Sequence, residues 1–332
     1  MLNLSDSEIK FALESIREVM PLAEKIRLEL AGKKITKDDL SPVTVADFSI
    51  QAIIRHRLSL AFPQDAFLGE ESSELLTDEQ GGESLKLVTH YVKSILPEAT
   101  PQKVCEWIDG GAAPKSHGRF WTLDPIDGTK GFLRGAQYAI ALALLDQGKV
   151  KLGVLGCPHL NEKGIPELKK KSGAIAIGVR NQGAWIAAPD SIQSLQPLEV
   201  SNQTMPEAAI ILGSVEPTHT DTDQLKSLLI FLGNQTPPRL LDSQTKYAAL
   251  AAGYGDFFLY LLPPKKLDYR MKIWDVAPGS IIAEEAGGKV TDLEGNALDF
   301  SCGDTLKKNP GLLISNGHLH SILLEGVIRR AS

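Results

Sequence analysis

The chain is 332 residues long, 43% hydrophobic, and carries a formal net charge of -6. That is enough apolar material for one large folded domain or two ordinary ones, and 29 Gly and 19 Pro do not indicate a disordered or fibrous sequence. The acidic surplus argues against a generic nucleic-acid or anionic-membrane binder, although an acidic protein still takes a polyanionic small molecule when cations supply positive charge.

The first residues, Met1-Leu2-Asn3-Leu4-Ser5-Asp6-Ser7-Glu8, lack the basic start and apolar core of a signal peptide. No apolar run approaches the ~20 residues of a membrane-spanning helix. Cys105, Cys157 and Cys302 are far apart and show no zinc or disulfide spacing. A cytoplasmic protein with reduced thiols is expected. Ser5 and Glu8 have capping-box spacing, and Ile9, Leu13, Ile16, Met20, Ala23, Ile26 and Leu30 follow at helical intervals. Pro21 should kink or restart that helix, and Gly32-Lys33-Lys34 should end it. The stretch Ser41-Pro42-Val43-Thr44-Val45-Ala46-Asp47 reads as extended, as a residue before proline prefers. Asp47 then opens a second amphipathic helix through Phe48, Ala52, Leu58 and Phe62; taken alone, it is an N-cap.

Residues 66–68 form a short apolar strand running into Gly69-Glu70-Glu71, which places Glu70 at a strand end. Residues 84–96 read as a helix and 97–118 as a loop. The run Phe120-Trp121-Thr122-Leu123 is β-prone and delivers the chain to Asp124-Pro125-Ile126-Asp127-Gly128-Thr129. Pro125 removes a backbone donor and Gly128 permits a sharp turn. Two carboxylates, a hydroxyl and the Ile126 carbonyl thus share one turn at a strand end, the ligand type that hard cations take. The same dipeptides also serve ordinary turns. Residues 138–145 and 150–155 make a hairpin, and 174–179 and 184–187 add two strands to an antiparallel sheet. Lys163 and Lys169-Lys170-Lys171 read as a solvated basic loop.

The Pro-, Ser- and Gln-rich stretch 189–207 suggests a boundary between an α+β domain over 1–195 and an α/β domain over 196–332. Beyond it come strand 209–215, helix 221–232, strand 240–241, helix 244–252 and strand 257–262. A helix then begins at Trp274-Asp275 and stops at Gly287-Gly288, followed by strands 289–291 and 312–315 and a last helix over 318–330. Asp47, Glu70, Asp124, Asp127 and Asp275 therefore all sit at expected element ends. Brought together without a matching set of Lys or Arg, they would repel unless cations neutralised them, which predicts two or more divalent ions. Thr129 could exchange a hydrogen bond with a water that a nearby carboxylate deprotonates.

Asp124-Pro125-Ile126-Asp127-Gly128-Thr129 and Trp274-Asp275, with Gly69-Glu70-Glu71 upstream, resemble the signature of the lithium-sensitive, Mg²⁺-dependent inositol monophosphatase superfamily. Ser41 to Asp47, Gly69-Glu70-Glu71-Ser72-Ser73, residues 120–133, Asp242-Ser243-Gln244-x-Lys246-Tyr247 and Lys272-Ile273-Trp274-Asp275 resemble its 3′(2′),5′-bisphosphate nucleotidases. The similarity runs from about residue 9 to about residue 317. The resemblance implies a layered α-β-α-β-α sandwich of the α/β (α+β) class. It implies two or three Mg²⁺ ions held by Glu70, Asp124, the Ile126 carbonyl, Asp127 and Asp275, with Asp47 and Thr129 polarising the attacking water. Gly128, Thr129, His219, Ser243, Lys246 and Asp275 would contact the substrate, with His219 against the base. The implied substrate is adenosine 3′,5′-bisphosphate, hydrolysed to AMP and phosphate, or its adenylyl-sulfate form, by a monomer. Tyr260 stands where such proteins commonly carry an arginine, which leaves Arg239, Lys265 or Arg270 to replace it. An inositol-phosphate or sugar-bisphosphate phosphatase on the same metal site is the alternative enzyme. A nucleotide sensor without catalysis is the alternative of another class.

Overall fold

The computed structural model describes residues 2–30, 41–77, 82–110, 118–168, 173–215, 221–262 and 268–331. Its first helix, α1 (Ser7–Leu30), is started by Asp6, whose Oδ1 accepts from the amides of Glu8 at 2.9 Å and Ile9 at 3.3 Å. Ser5 instead donates to Asn3, so the expected capping box does not form. Pro21 lies inside α1 without ending it. The second helix, α2 (Pro42–Ala61), corrects the extended reading of residues 41–47. Ser41 caps it by accepting from the Thr44 amide at 3.3 Å, and Pro42 occupies the first turn, where its missing N–H costs nothing. Asp47 therefore lies in the second turn of a helix rather than at its start.

After β1 (Ala66–Gly69) come α3 (Glu74–Thr77), α4 (Gly82–Lys93) and α5 (Pro101–Asp109). The last of these corrects the loop expected over 97–118. Thr100 caps it and Pro101 opens it, the same Ser/Thr-Pro device as in α2. The chain continues through β2 (Phe120–Asp127), α6 (Thr129–Arg134), β3 (Ala139–Asp146), β4 (Lys149–Cys157), β5 (Ala174–Val179), β6 (Gly183–Ala187) and β7 (Gln196–Pro197). These strands form one seven-stranded sheet in the order β1 to β7, antiparallel except for the parallel pair β1–β2. The remainder comprises β8 (Leu212–Gly213), α7 (Thr222–Leu232), β9 (Arg239–Leu240), α8 (Thr245–Ala251), β10 (Phe257–Tyr260), α9 (Ala277–Glu285), β11 (Lys289–Thr291), β12 (Leu312–Ser315) and α10 (His320–Ala331). A second, antiparallel sheet has the order β10-β12-β11.

Alternation along the strands divides the interior into layers. Ile140, Leu142 and Leu144 of β3 pack with Val154, Ile175 and Ile177 against α1 and α2. The intervening Ala139, Ala141, Ala143 and Leu145 face α8 and α9 with Ala248, Ile281 and Ile282. Small residues on that face let α9 approach closely: a Cβ at Gly153 would stand 2.4 Å from the Pro278 oxygen, and one at Gly178 2.8 Å from Ile282 Cα. On the second sheet, Phe258, Leu312 and Ile314 join the α8–α9 layer, whereas Phe257 and Leu313 turn to α7 and α10 with Leu228 and Leu323. The result is helix, sheet, helix, sheet, helix: the expected α-β-α-β-α sandwich. No helix among the described residues is long and apolar enough to cross a membrane.

Candidate active site

Strand register brings the first two carboxylates together. In the parallel pair β1–β2, Gly69 lies beside Leu123, so Glu70 and Asp124 leave adjacent strands at the same end. The Glu70 amide still donates to the Leu123 oxygen at 3.2 Å. A Cβ at Gly69 would stand 2.3 Å from Gln51 Oε1, so a larger residue there would displace that side-chain amide. The Gln51 amide in turn fixes the Glu71 backbone from both sides, donating to its oxygen at 2.7 Å and accepting its N–H at 3.1 Å.

Pairing with β3 then slips. Asp124 faces Ala141 and Asp127 faces Ala139, three steps on one strand against two on the other. The extra residue is a bulge at Pro125-Ile126, where proline has no donor to lose. Gly128 follows with φ of 93°, and a Cβ on it would come within 2.8 Å of Ser243 Cβ. Ser243 itself holds φ of 64°, a left-handed conformation that costs a non-glycine residue about 1–3 kcal/mol. The turn after β2 and the turn before α8 are thus pressed against each other.

Glu70, Asp124, Ile126, Asp127, Gly128, Thr129, Ser243, Lys246 and Asp275 all line one cavity of about 420 Å³. Asp275 reaches it from just ahead of α9, and the helix begins at Ala277 rather than at Trp274. Asp47 does not line the cavity. It is buried behind it, accepts from the Ile126 amide, and lies near Glu70 and Glu71. His219 and Lys265 fall outside the described residues. Arg239 lies over the Tyr254 ring, 4.3 Å from its centroid, and Arg270 donates to the carbonyls of Tyr269 and Lys307. Neither arginine is among the residues lining the cavity.

Two contributors, Gln244 and Tyr269, were not singled out from the sequence. Gln244 is buried, its amide N–H donates to Asp127, its Nε2 to the Trp274 oxygen at 3.0 Å, and its Oε1 accepts from Gly279 at 3.1 Å. It joins the turn after β2 to the segment that carries Asp275. A polar residue in a short helix-starting motif gave no sign of this, because the partners are distant in sequence. Tyr269 was missed for the same reason; it enters the cavity from a stretch with no periodicity.

The electrostatics are those of buried carboxylates held together with too little countercharge: burial raises their pKa values by more than Lys246 and Lys272 lower them. Burial, then repulsion from Glu70, Asp127, Asp275 and Asp47, pushes Asp124 well above the usual carboxylate range. Burial and then Asp127 and Glu70 push Asp275 up to about 8. Asp127 rises to about 6, mainly by burial, against the Gln244 amide that lowers it. Burial raises Glu70 as well, and it shares a hydrogen bond with Asp124. The nearest lysines are otherwise engaged: Lys272 pairs with Asp304, and Lys246 donates to Ser214 Oγ at 2.7 Å, its own pKa lowered by burial.

A divalent cation fits this donor set. Every candidate ligand is a hard oxygen, and Asp124 Oδ1 is buried with no hydrogen-bond partner. Among the described residues, no three His, Cys, Asp or Glu side chains are already drawn together at ion-holding distance. Glu70 and Asp124 share a hydrogen bond, and Asp127 and Asp275 face the same cavity.

The comparisons with known proteins agree on one family. A model of the inositol monophosphatase family matches residues 5–331. The 3′(2′),5′-bisphosphate nucleotidase of Schizosaccharomyces pombe is 40% identical over 326 residues, covering 93% of this chain and 91% of the relative. That of Oryza sativa is 39% identical over 338 residues, covering 97% and 93%. Among solved structures, an IMPase of Thermotoga maritima superposes with a TM-score of 0.62 at 20% identity, covering 98% of both chains. Inositol monophosphatase II of Staphylococcus aureus gives 0.62 at 18% identity, covering 97% and 93%. At these identities the structural likeness shows the fold alone.

Proposed function

We propose, for a chain that belongs to the inositol monophosphatase family, the activity of a metal-dependent phosphatase that removes the 3′-phosphate of adenosine 3′,5′-bisphosphate, leaving AMP and phosphate. The observation that carries this reading is the convergence of Glu70, Asp124, Asp127 and Asp275 on one cavity whose lining also holds Ser243 and Lys246. Relatives named for this activity and matching more than nine-tenths of the chain support it. The proposal takes Mg²⁺ as the ion, two or three per chain, and a cytoplasmic monomer acting also on the adenylyl-sulfate analogue.

Glu70, Asp124, Asp127, Asp275 and the Ile126 carbonyl would hold the ions. When bound, such ions neutralise the carboxylates, polarise phosphoryl oxygens and acidify water. The residues themselves position the reactants. Gln244 holds Asp127 and the Trp274-Asp275 segment at a fixed separation. Thr129, exposed at the start of α6, offers its hydroxyl to orient the attacking water, with Asp47 buried behind Ile126 as the partnering carboxylate. Lys246 and Ser243 receive the nucleotide, and His219 is assigned the base. The water oxygen bonds to the 3′-phosphorus as the bond to the ribose 3′-oxygen breaks. That oxygen leaves with a proton, and inorganic phosphate is released.

A phosphate-release panel in Mg²⁺ tests the reading. Adenosine 3′,5′-bisphosphate should be turned over with kcat/KM at least about tenfold above inositol 1-phosphate, since a site that reads base contacts rejects a ligand lacking them. Equal or inverted rates would assign the cavity to an inositol-phosphate or sugar phosphatase. Tight nucleotide binding with no phosphate released would indicate a sensor.

A further inference from the structure

The cavity has a second half with different chemistry. Besides the carboxylates, its lining includes Phe258 and Tyr260 from β10, Tyr269 and Met271 from the following stretch, and Leu312 from β12. The antiparallel register sets Tyr260 directly beside Leu312 and Phe258 beside Ile314, on the face turned to α8 and α9. Phe258 is locked from below by Tyr247, edge-on at 4.8 Å and 90°. The Tyr260 and Tyr269 rings lie 6.2 Å apart, splayed by 39°, and share a hydrogen bond. Tyr269 is 40% exposed, so its ring is open to a ligand in the cavity.

We infer that Tyr260 and Tyr269 form the stacking platform for the nucleobase, and so set the preference for a base-bearing phosphate over a base-free one. This rests on the nucleotide phosphatase reading above. The cavity lining combines the two chemistries of such a substrate, charged groups for the phosphate end and a pair of aromatic rings for the base. The platform also lacks formal charge, in contrast to the carboxylate half, and stacking is tolerant of how polar the base edge is. A centroid separation of 6.2 Å is below the about 7 Å that a base inserted between two rings needs at ordinary contact distances. The base therefore lies over the pair rather than between the two rings. The shared hydrogen bond ties the two rings to each other, which reduces the entropy lost on stacking.

The test is the ratio of kcat/KM for adenosine 3′,5′-bisphosphate to that for inositol 1-phosphate, measured for wild type, Tyr260→Leu and Tyr269→Leu. Leucine keeps an apolar wall and removes the π face. The ratio should fall roughly five- to hundredfold in each variant, the range carried by one lost base–aromatic stack, with the change in the nucleotide's KM rather than its kcat. Tyr260→Phe and Tyr269→Phe, which keep the ring, should retain most of the wild-type ratio. A wild type that discriminates with a ratio unaltered in both leucine variants overturns the platform and leaves the activity standing. A wild type that does not discriminate at all overturns the activity itself.

Discussion

Replacing Asp127 with Asn should lower kcat for phosphate release by about a thousandfold or more, the scale on which loss of one charged group from a preorganised site is felt. The fold should not suffer. Asn keeps an oxygen that accepts the Gln244 amide, and it keeps the volume of the bulge that ends β2. Its effect on stability should have the opposite sign. The Asp127 carboxyl is raised to about 6 by burial, so at pH 8 the folded chain carries a charge that destabilises it, and a neutral side chain relieves that cost. Urea unfolding in the presence of a chelator should then show Asp127→Asn at least as stable as wild type. Near-normal turnover in the variant would remove Asp127 from the site, and a large loss of stability would mean that the turn is held by its charge.

The second large effect concerns removal of metal. Asp275 at about 8 and Asp127 at about 6 are both raised above the ordinary value of 3.8. A carboxyl with a raised folded pKa gives stability that is present below the unfolded value and lost as pH rises through the folded one. With chelator present, the unfolding midpoint should therefore drop across pH 5.5 to 8.5. Mg²⁺ needs these groups deprotonated, so its binding strengthens over the same window and opposes the loss. At a hundredfold excess over Kd a single ion contributes about 2.7 kcal/mol. The gap between the midpoints in Mg²⁺ and in chelator should thus widen as pH rises, read by thermal unfolding at three pH values. A gap that stays constant or closes would mean that the cation acts elsewhere.

Much of this site was readable from residues because it is built from ends of elements. An apolar run into Asp124-Pro125-Ile126-Asp127-Gly128-Thr129 can only be a strand delivering carboxylates to a turn, and residues 66–69 before Glu70 repeat that logic. Their pairing in parallel, which aligns Glu70 with Asp124, is a tertiary fact with no local signal. The helix starts misread at Pro42 and Pro101 share one cause. A Ser/Thr-Pro pair reads equally as an extended dipeptide and as an N-cap followed by the first helical residue, and only the packing of Val45, Ala46 and Val104 into the core decides. That decision moves Asp47 from a helix start to a buried second turn. Gln244, Tyr260 and Tyr269 were least legible, because their meaning lies in neighbours 9 to 117 positions away, beyond any periodicity in the sequence. The carboxylates of the cavity were therefore visible in advance, and of its aromatic lining only Tyr260 was marked, as the residue in an arginine's place.

The most direct test of the central claim is the identity of the product formed from adenosine 3′,5′-bisphosphate, separated by chromatography after incubation with Mg²⁺ and with chelator. A phosphatase working from this cavity should give AMP and one equivalent of phosphate in Mg²⁺, and neither in chelator. Adenosine 3′-phosphate as the product, or AMP formed equally well without metal, would contradict it.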